Sequence, residues 1–125
     1  MTDSLLVISR KSFQSVFIVT HLPASGFIVN VVTDFTQALE VCGEHGPDLI
    51  LVETPLKDDA VLSLCAQLRR LTRIPIVLFG HQADEELWAT GVSAGADFYL
   101  VESWETSVKI AMLKAVLRRY RWNNR

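Results

Sequence analysis

Long apolar runs, a surplus of one charge and a cysteine framework are all missing from this sequence. No stretch approaches the roughly 18 apolar residues that a membrane helix needs. The opening Met1-Thr2-Asp3-Ser4 lacks the basic start and apolar stretch of a secretory signal, so a cytoplasmic location is expected. Only two cysteines occur, Cys42 and Cys65, both among apolar neighbours in segments of helical spacing. They make neither a disulfide framework nor a zinc pattern and read as buried free thiols in a reducing compartment. Lys and Arg number 12 against 14 Asp and Glu, a formal net charge of −2 with a pI near 5.9. That balance excludes an overall electrostatic drive toward nucleic acid or an anionic membrane. No linker, internal repeat or low-complexity tract is present.

What is present suits one folded domain. The chain has 125 residues and 14.0 kDa, half of its residues are hydrophobic, 21% are charged, and the mean hydropathy is +0.26. A chain of this length buries enough surface to hold a single core without staples. The domain is expected over residues 1–120, with 121–125 as a tail or the start of a linker.

Five short runs rich in β-branched residues read as strands. They are Leu5-Leu6-Val7-Ile8, then 27–32 (Phe27 to Val32), 48–52 (Asp48 to Val52), 75–79 (Pro75 to Phe79) and 98–101 (Phe98 to Val101). Most are continuously apolar, as parallel strands covered on both faces are. Helical spacing fills the gaps. Residues 36–44 place Ala38, Leu39 and Cys42 on one side, and residues 59–71 carry Val61, Leu64, Cys65, Leu68 and Leu71 as an amphipathic stripe. Asp84-Glu85-Glu86 suits the start of a fourth helix that Gly95 ends. Ser103 is expected to cap a last helix whose core stripe is Ile110, Leu113, Val116 and Leu117. Residues 12–22 have the spacing of a helix, which Pro23 is expected to stop, although Val16-Phe17-Ile18-Val19 would serve a strand as well.

Alternating strands and helices joined by right-handed crossovers imply an α/β domain, a parallel sheet with helices on both faces. Ligands in such sheets bind beyond the carboxyl ends of the strands. The residues that matter there are Ser9, Arg10 and Lys11, then Glu53 and Thr54, Gly80 and His81, and Glu102 and Ser103.

These strand ends resemble the receiver domain of two-component response regulators, over nearly the whole chain. Gly46-Pro47-Asp48-Leu49-Ile50-Leu51-Val52-Glu53 is similar to the third strand of the family, which ends in the phospho-accepting aspartate. Pro75-Ile76-Val77-Leu78-Phe79 is similar to its fourth strand, and Ala94-Gly95-Ala96-Asp97-Phe98-Tyr99-Leu100-Val101 to the GAxxYL run of its fifth. The resemblance implies a doubly wound, CheY-like three-layer sandwich with strand order 2-1-3-4-5.

It also implies a degenerate site. The acidic pair that holds Mg²⁺ in the family falls on Ser9 and Arg10, the phosphoacceptor on Glu53, the fourth-strand hydroxyl on Gly80, and the fifth-strand lysine on Glu102. The proline downstream of the phosphoacceptor is replaced by Lys57, with Pro55 two residues earlier. The switch aromatic survives as Tyr99. Phosphoryl transfer to a carboxylate needs a divalent ion, and Mg²⁺ wants carboxylates. Arg10 would repel that ion, Gly80 offers no hydroxyl, and Glu102 reverses a charge. No cofactor and no metal are expected, phosphorylation is expected to be lost, and Glu53 is expected either to pair with Arg10 and fix one state or to be solvated drift.

The resemblance places output on the fourth helix, fifth strand and fifth helix. There Trp88, Phe98, Val108 and Met112 stand where charged residues are usual, and Asp97 and Arg119 remain as charged positions. This face suits a protein partner or homodimer; alternatively, Trp88 and Phe98 cover each other. The tail from Arg118 to Arg125 is basic with interleaved aromatics, but a helix end leading to a linker and a fused output domain is expected rather than direct nucleic-acid binding. An enzyme is not expected. Glu53 and Glu102 form a carboxylate pair, but neither a nucleophile nor a Gly-rich loop accompanies them. His81 lies near enough to act as a base or pH sensor, or to be a plain loop histidine, while His21 and His45 carry no constellation. Two other readings stand beside this one: a receiver with unconventional modification or ligand binding at the strand ends, and a flavodoxin-like cofactor binder. For the second, Ser9-Arg10-Lys11-Ser12-Phe13 lacks the expected glycine.

Overall fold

The computed structural model describes residues 2–9, 15–44, 46–54, 59–81 and 84–123. Five strands, β1 (Ser4–Ile8), β2 (Ile28–Val32), β3 (Leu49–Thr54), β4 (Ile76–Gly80) and β5 (Phe98–Val101), form one parallel sheet in the order β2-β1-β3-β4-β5. The helices are α1 (Phe17–Ala24, of which Phe17–His21 is π-helical), α2 (Phe35–Glu44), α3 (Asp59–Leu71), α4 (Glu85–Ala94) and α5 (Thr106–Asn123). The doubly wound α/β fold expected from the alternation of elements is therefore the one formed.

Because side chains alternate along a strand, each strand feeds two cores. Leu5, Val7, Leu49, Leu51, Val77, Phe79 and Leu100 pack under α1 and α5 against Phe17, Ile18, Leu22, Leu113 and Leu117. Leu6, Ile8, Ile50, Val52, Leu78, Tyr99 and Val101 face α2, α3 and α4. The continuous hydrophobicity of the strands follows from this double burial.

Three expectations are corrected. Pro23 does not stop α1, which runs on to Ala24. A proline inside a helix forfeits one N–H bond and crowds the carbonyl four residues back. The π-helical segment before it widens the coil, with the Leu22 N–H donating to the Phe17 carbonyl five residues earlier. Ser103 does not cap α5, because the chain turns first through Glu102 and Ser103 and the helix begins at Thr106. The buried stripe of α5 is Lys109, Leu113 and Leu117, with Ile110 and Val116 only half-buried beside it. Residues 121–123 are the last turn of α5.

Asp84 caps α4, its carboxylate accepting the Leu87 N–H at 3.0 Å, and Gly95 ends that helix. Gly95 has φ +128°, and a Cβ there would lie 2.9 Å from Arg69 Cβ. The loop it makes delivers Asp97, which accepts the Ile76 N–H at 2.8 Å and pairs with Arg69 at 2.6 Å. Cys42 and Cys65 are free and buried, as expected. Burial pushes both thiols up, that of Cys65 to about 11.

Candidate functional site

The carboxyl ends of β1, β3, β4 and β5 bring together Ser9, Glu53, Gly80, His81 and Glu102. Strand alternation points Ser9, Glu53 and Glu102 toward α1 and α5, on the same side as Phe79. Ser9 is buried, and its hydroxyl donates to Glu53 Oε1 at 2.9 Å across the β1–β3 pair. The expected Arg10 partner of Glu53 lies outside the described residues, as do Lys11, Pro55 and Lys57. His45 lies outside them too.

Glu102 is held on three sides. Its N–H donates to the Gly80 carbonyl at 2.8 Å, its carboxylate pairs with His81 Nδ1, and its carbonyl accepts from Lys109 Nζ at 2.7 Å. His81 is thus tied to Glu102 rather than standing as an isolated loop residue. Among the described residues, no group of three or more His, Cys, Asp or Glu side chains is placed to hold a metal ion.

Lys109 is the residue that sequence reasoning missed. It is only 4% exposed, and its ammonium sits 4.3 Å from the Phe17 ring centroid and 5.7 Å from that of Phe79. A cation over aromatic faces regains part of its lost hydration. Burial pushes its pKa down, while Glu102 acts in the opposite direction. The signal for it was spacing: Lys109 lies four residues before Leu113 and eight before Leu117, on one helical face.

On the other side of the sheet, Tyr99 is 2% exposed and reaches Gly80 on the neighbouring strand. A Cβ built on Gly80 would collide with Tyr99 Oη, lie 2.5 Å from Cζ and 3.2 Å from Cε2. Glycine is therefore what gives this ring its place. Burial pushes the Tyr99 hydroxyl up, and Asp84 adds to the effect. Trp88 stacks on Tyr99 with centroids 6.2 Å apart and meets Phe98 edge-on at 5.6 Å. Phe98 is half-buried in this contact, but Trp88 stays 38% exposed; Val92 on α4, and Val108 and Met112 on α5 across the sheet, are exposed as well. The two rings thus cover each other, as one of the two expectations for this face had it, while part of Trp88 remains exposed. Asp97 and Arg119 lie at its lower end, where they line one hollow.

The sheet order defines a doubly wound α/β domain, and the polar cluster lies at the strand ends, where such sheets bind ligands. The family model of the response regulator receiver domain matches residues 6–114, and the chain belongs to that family. It is 30% identical over 99 residues to the transcriptional regulatory protein CseB of Streptomyces avermitilis, covering 79% of this chain and 42% of that protein. It is 30% identical over 122 residues to the phosphate regulon transcriptional regulatory protein PhoB of Rhizobium meliloti, covering 95% and 54%. The chain spans about half the length of these curated relatives. In fold it is similar to a two-component response regulator from Clostridium difficile, with TM-score 0.79 and 24% identity over 94% of this chain and 97% of that one. A response regulator from Thermotoga maritima gives TM-score 0.81 at 18% identity, covering 94% and 99%. Among the described residues, no helix is long and apolar enough to cross a membrane.

Proposed function

We propose that this receiver domain signals without phosphorylation, by protein contact through its α4–β5–α5 face, and catalyses no reaction of its own. The observation that carries the reading is the fit of Tyr99 against Gly80. With the phenol lodged where a side chain at position 80 would stand, β4 ends without a hydroxyl for a phosphoryl oxygen. The ring then has one resting place and keeps the stacked Trp88 in one pose.

The donor set points the same way. Mg²⁺ is held by carboxylates and water in near-octahedral geometry. Here β1 ends in the Ser9 hydroxyl, which is spent on Glu53, and the Glu102 carboxylate is spent on His81. These side chains do not suit a divalent ion, and a phosphoryl group on Glu53 would meet a second carboxylate rather than a cation. The partner is a second protein, another copy of the chain, or an output domain attached in a longer native protein, as the greater length of the relatives suggests. Trp88, Phe98, Val108 and Met112 are the anchors, with Asp97 and Arg119 at the rim.

The test is an NMR titration with Mg²⁺ and then beryllofluoride. The amides of Glu53, Gly80 and Tyr99 are expected to stay in place through both additions. Saturable shifts at those three positions would overturn the proposal.

A further inference from the structure

We propose that the free edge of β2 pairs with a second copy of this chain, the two β2 strands running antiparallel about a two-fold axis at Asn30. β2 and β5 are opposite edges of the sheet, so the proposal stands apart from the reading of the α4–β5–α5 face.

The hydrogen-bond pattern leaves this edge open. In a parallel ladder one residue spends both backbone groups on the neighbouring strand, and the next residue spends neither there. The Ile28 N–H donates to the Asp3 carbonyl at 2.9 Å, and the Val32 carbonyl accepts the Ser9 N–H at 2.9 Å. With Ser4 opposite Ile28 and Ile8 opposite Val32, the residues bonded to β1 are Ile28, Asn30 and Val32. Val29 and Val31 therefore aim their N–H and carbonyl groups away from β1. Among the described residues, none bonds to these groups, and no strand lies beyond β2.

Native edges are guarded against strand addition by a charge, a proline or a bulge. From Phe27 to Thr33 there is neither a charged residue nor a proline. The strand pairs with β1 residue for residue, so it has no bulge either. Ile28 is 53% exposed, and Asn30 is exposed beside it on the same face.

The sequence of the strand selects the occupant. With the axis at Asn30, Val29 of one copy meets Val31 of the other as a hydrogen-bonded pair, and this pair occurs twice. Ile28 then faces Val32, and pairs of β-branched residues are favourable across strands. Asn30 faces Asn30, whose amide is both donor and acceptor. A two-fold contact requires such a self-complementary patch.

Charge does not oppose the pairing. Residues 12–33, which include all of α1 and β2, contain no Asp, Glu, Lys or Arg in a chain that is 21% charged. The end of α1 packs against β2, so one flank of the edge is uncharged as well. On the other flank α2 packs on Val32, and its Glu40 is half-buried. Asp34, the first charge after β2, would stand about 25 Å from its copy along the ladder, beyond a screening length of about 8 Å.

The test is sedimentation equilibrium of the whole chain from micromolar to millimolar concentration, with amide hydrogen exchange followed by NMR over the same range. A monomer–dimer equilibrium is expected, with the Val29 and Val31 amides exchanging more slowly as dimer forms. Asn30→Lys and Asn30→Asp each set like charges face to face and should weaken association at least about tenfold. Circular dichroism should show both variants folded, since position 30 is exposed. Mixing the two variants should restore the dimer, the facing charges then being opposite. A chain that stays monomeric, assembly beyond a dimer, association indifferent to Asn30→Lys, or a mixture no tighter than either variant alone would each overturn the proposal. Protection that appears at Phe98 and Leu100 instead of Val29 and Val31 would do the same.

Discussion

Replacing Gly80 with alanine sets two effects of opposite sign against each other. Gly80 is not among the glycines with positive φ, which are Gly26 and Gly95, so its backbone accepts alanine without conformational strain. In open space that change would stabilise the fold by about 0.4–1 kcal/mol, through the reduced entropy of the unfolded chain. The new methyl group, however, would fall on Tyr99 Oη and 2.5 Å from Cζ. If the ring shifts within its pocket, the cost is that of overpacking, about 1–3 kcal/mol. If the ring leaves, about 150–250 Å² of buried tyrosine surface returns to water, which at about 25 cal/mol per Å² costs about 4–6 kcal/mol. The net expectation is a loss of about 0.5–2 kcal/mol, the overpacking cost less the gain from the unfolded chain, because yielding is cheaper than expulsion. Urea denaturation of Gly80→Ala, Tyr99→Leu and the double variant measures this. The double variant should recover about 0.5–3 kcal/mol relative to the sum of the singles, as contacting residues do. Trp88 emission should shift in Gly80→Ala, since its indole lies on the displaced ring. A Gly80→Ala protein as stable as the parent, with unchanged Trp88 emission, would refute the packing argument and the proposed function built on it.

Three further outcomes follow from the same geometry. Lys109→Met replaces a buried ammonium with an apolar chain of similar length. The folded-state pKa of Lys109 is lowered, so between that value and 10.5 the unfolded chain binds more protons and parental stability rises with pH. Paired urea curves from pH 7 to 10.5 should show the parent gaining on Lys109→Met, and parallel curves would sink the assignment. Asp97→Ala should cost about 1–3 kcal/mol by unpairing the Ile76 N–H, and Asp97→Asn, which keeps an acceptor, should cost less in thermal melts. Cys65 should resist a thiol reagent at pH 8 in the folded protein and react on adding denaturant, because its thiol is buried and its pKa is near 11. Prompt labelling of the native chain at Cys65 would contradict that burial.

Strands were legible because double burial writes itself as continuous hydrophobicity, and β5 and α3 begin and end where the residue pattern puts them. Pro23 misled because its usual effect presumes an α-helix, and a π segment relieves it. The site was legible as positions but not as partnerships. The order of the residues puts Ser9, Glu53 and Glu102 at strand ends, yet nothing in it says that Ser9 would donate to Glu53 or that His81 would turn to Glu102. Hydropathy hid Lys109 altogether, since a cation scores as solvent-facing even when two phenyl rings and a carbonyl receive it. Gly80 looked like a lost hydroxyl, and its meaning came only from the tyrosine on the next strand.

The Asp3–Arg121 pair joins residues 118 apart in sequence. Asp3 immediately precedes β1, a central strand of the sheet, whose far end presents Ser9 to Glu53. A tug applied to the last turn of α5 would therefore be felt first at the foot of β1 and, along that stiff strand, at Ser9. Force spectroscopy that pulls from residue 123 would register this as an early rip, which Asp3→Ala abolishes.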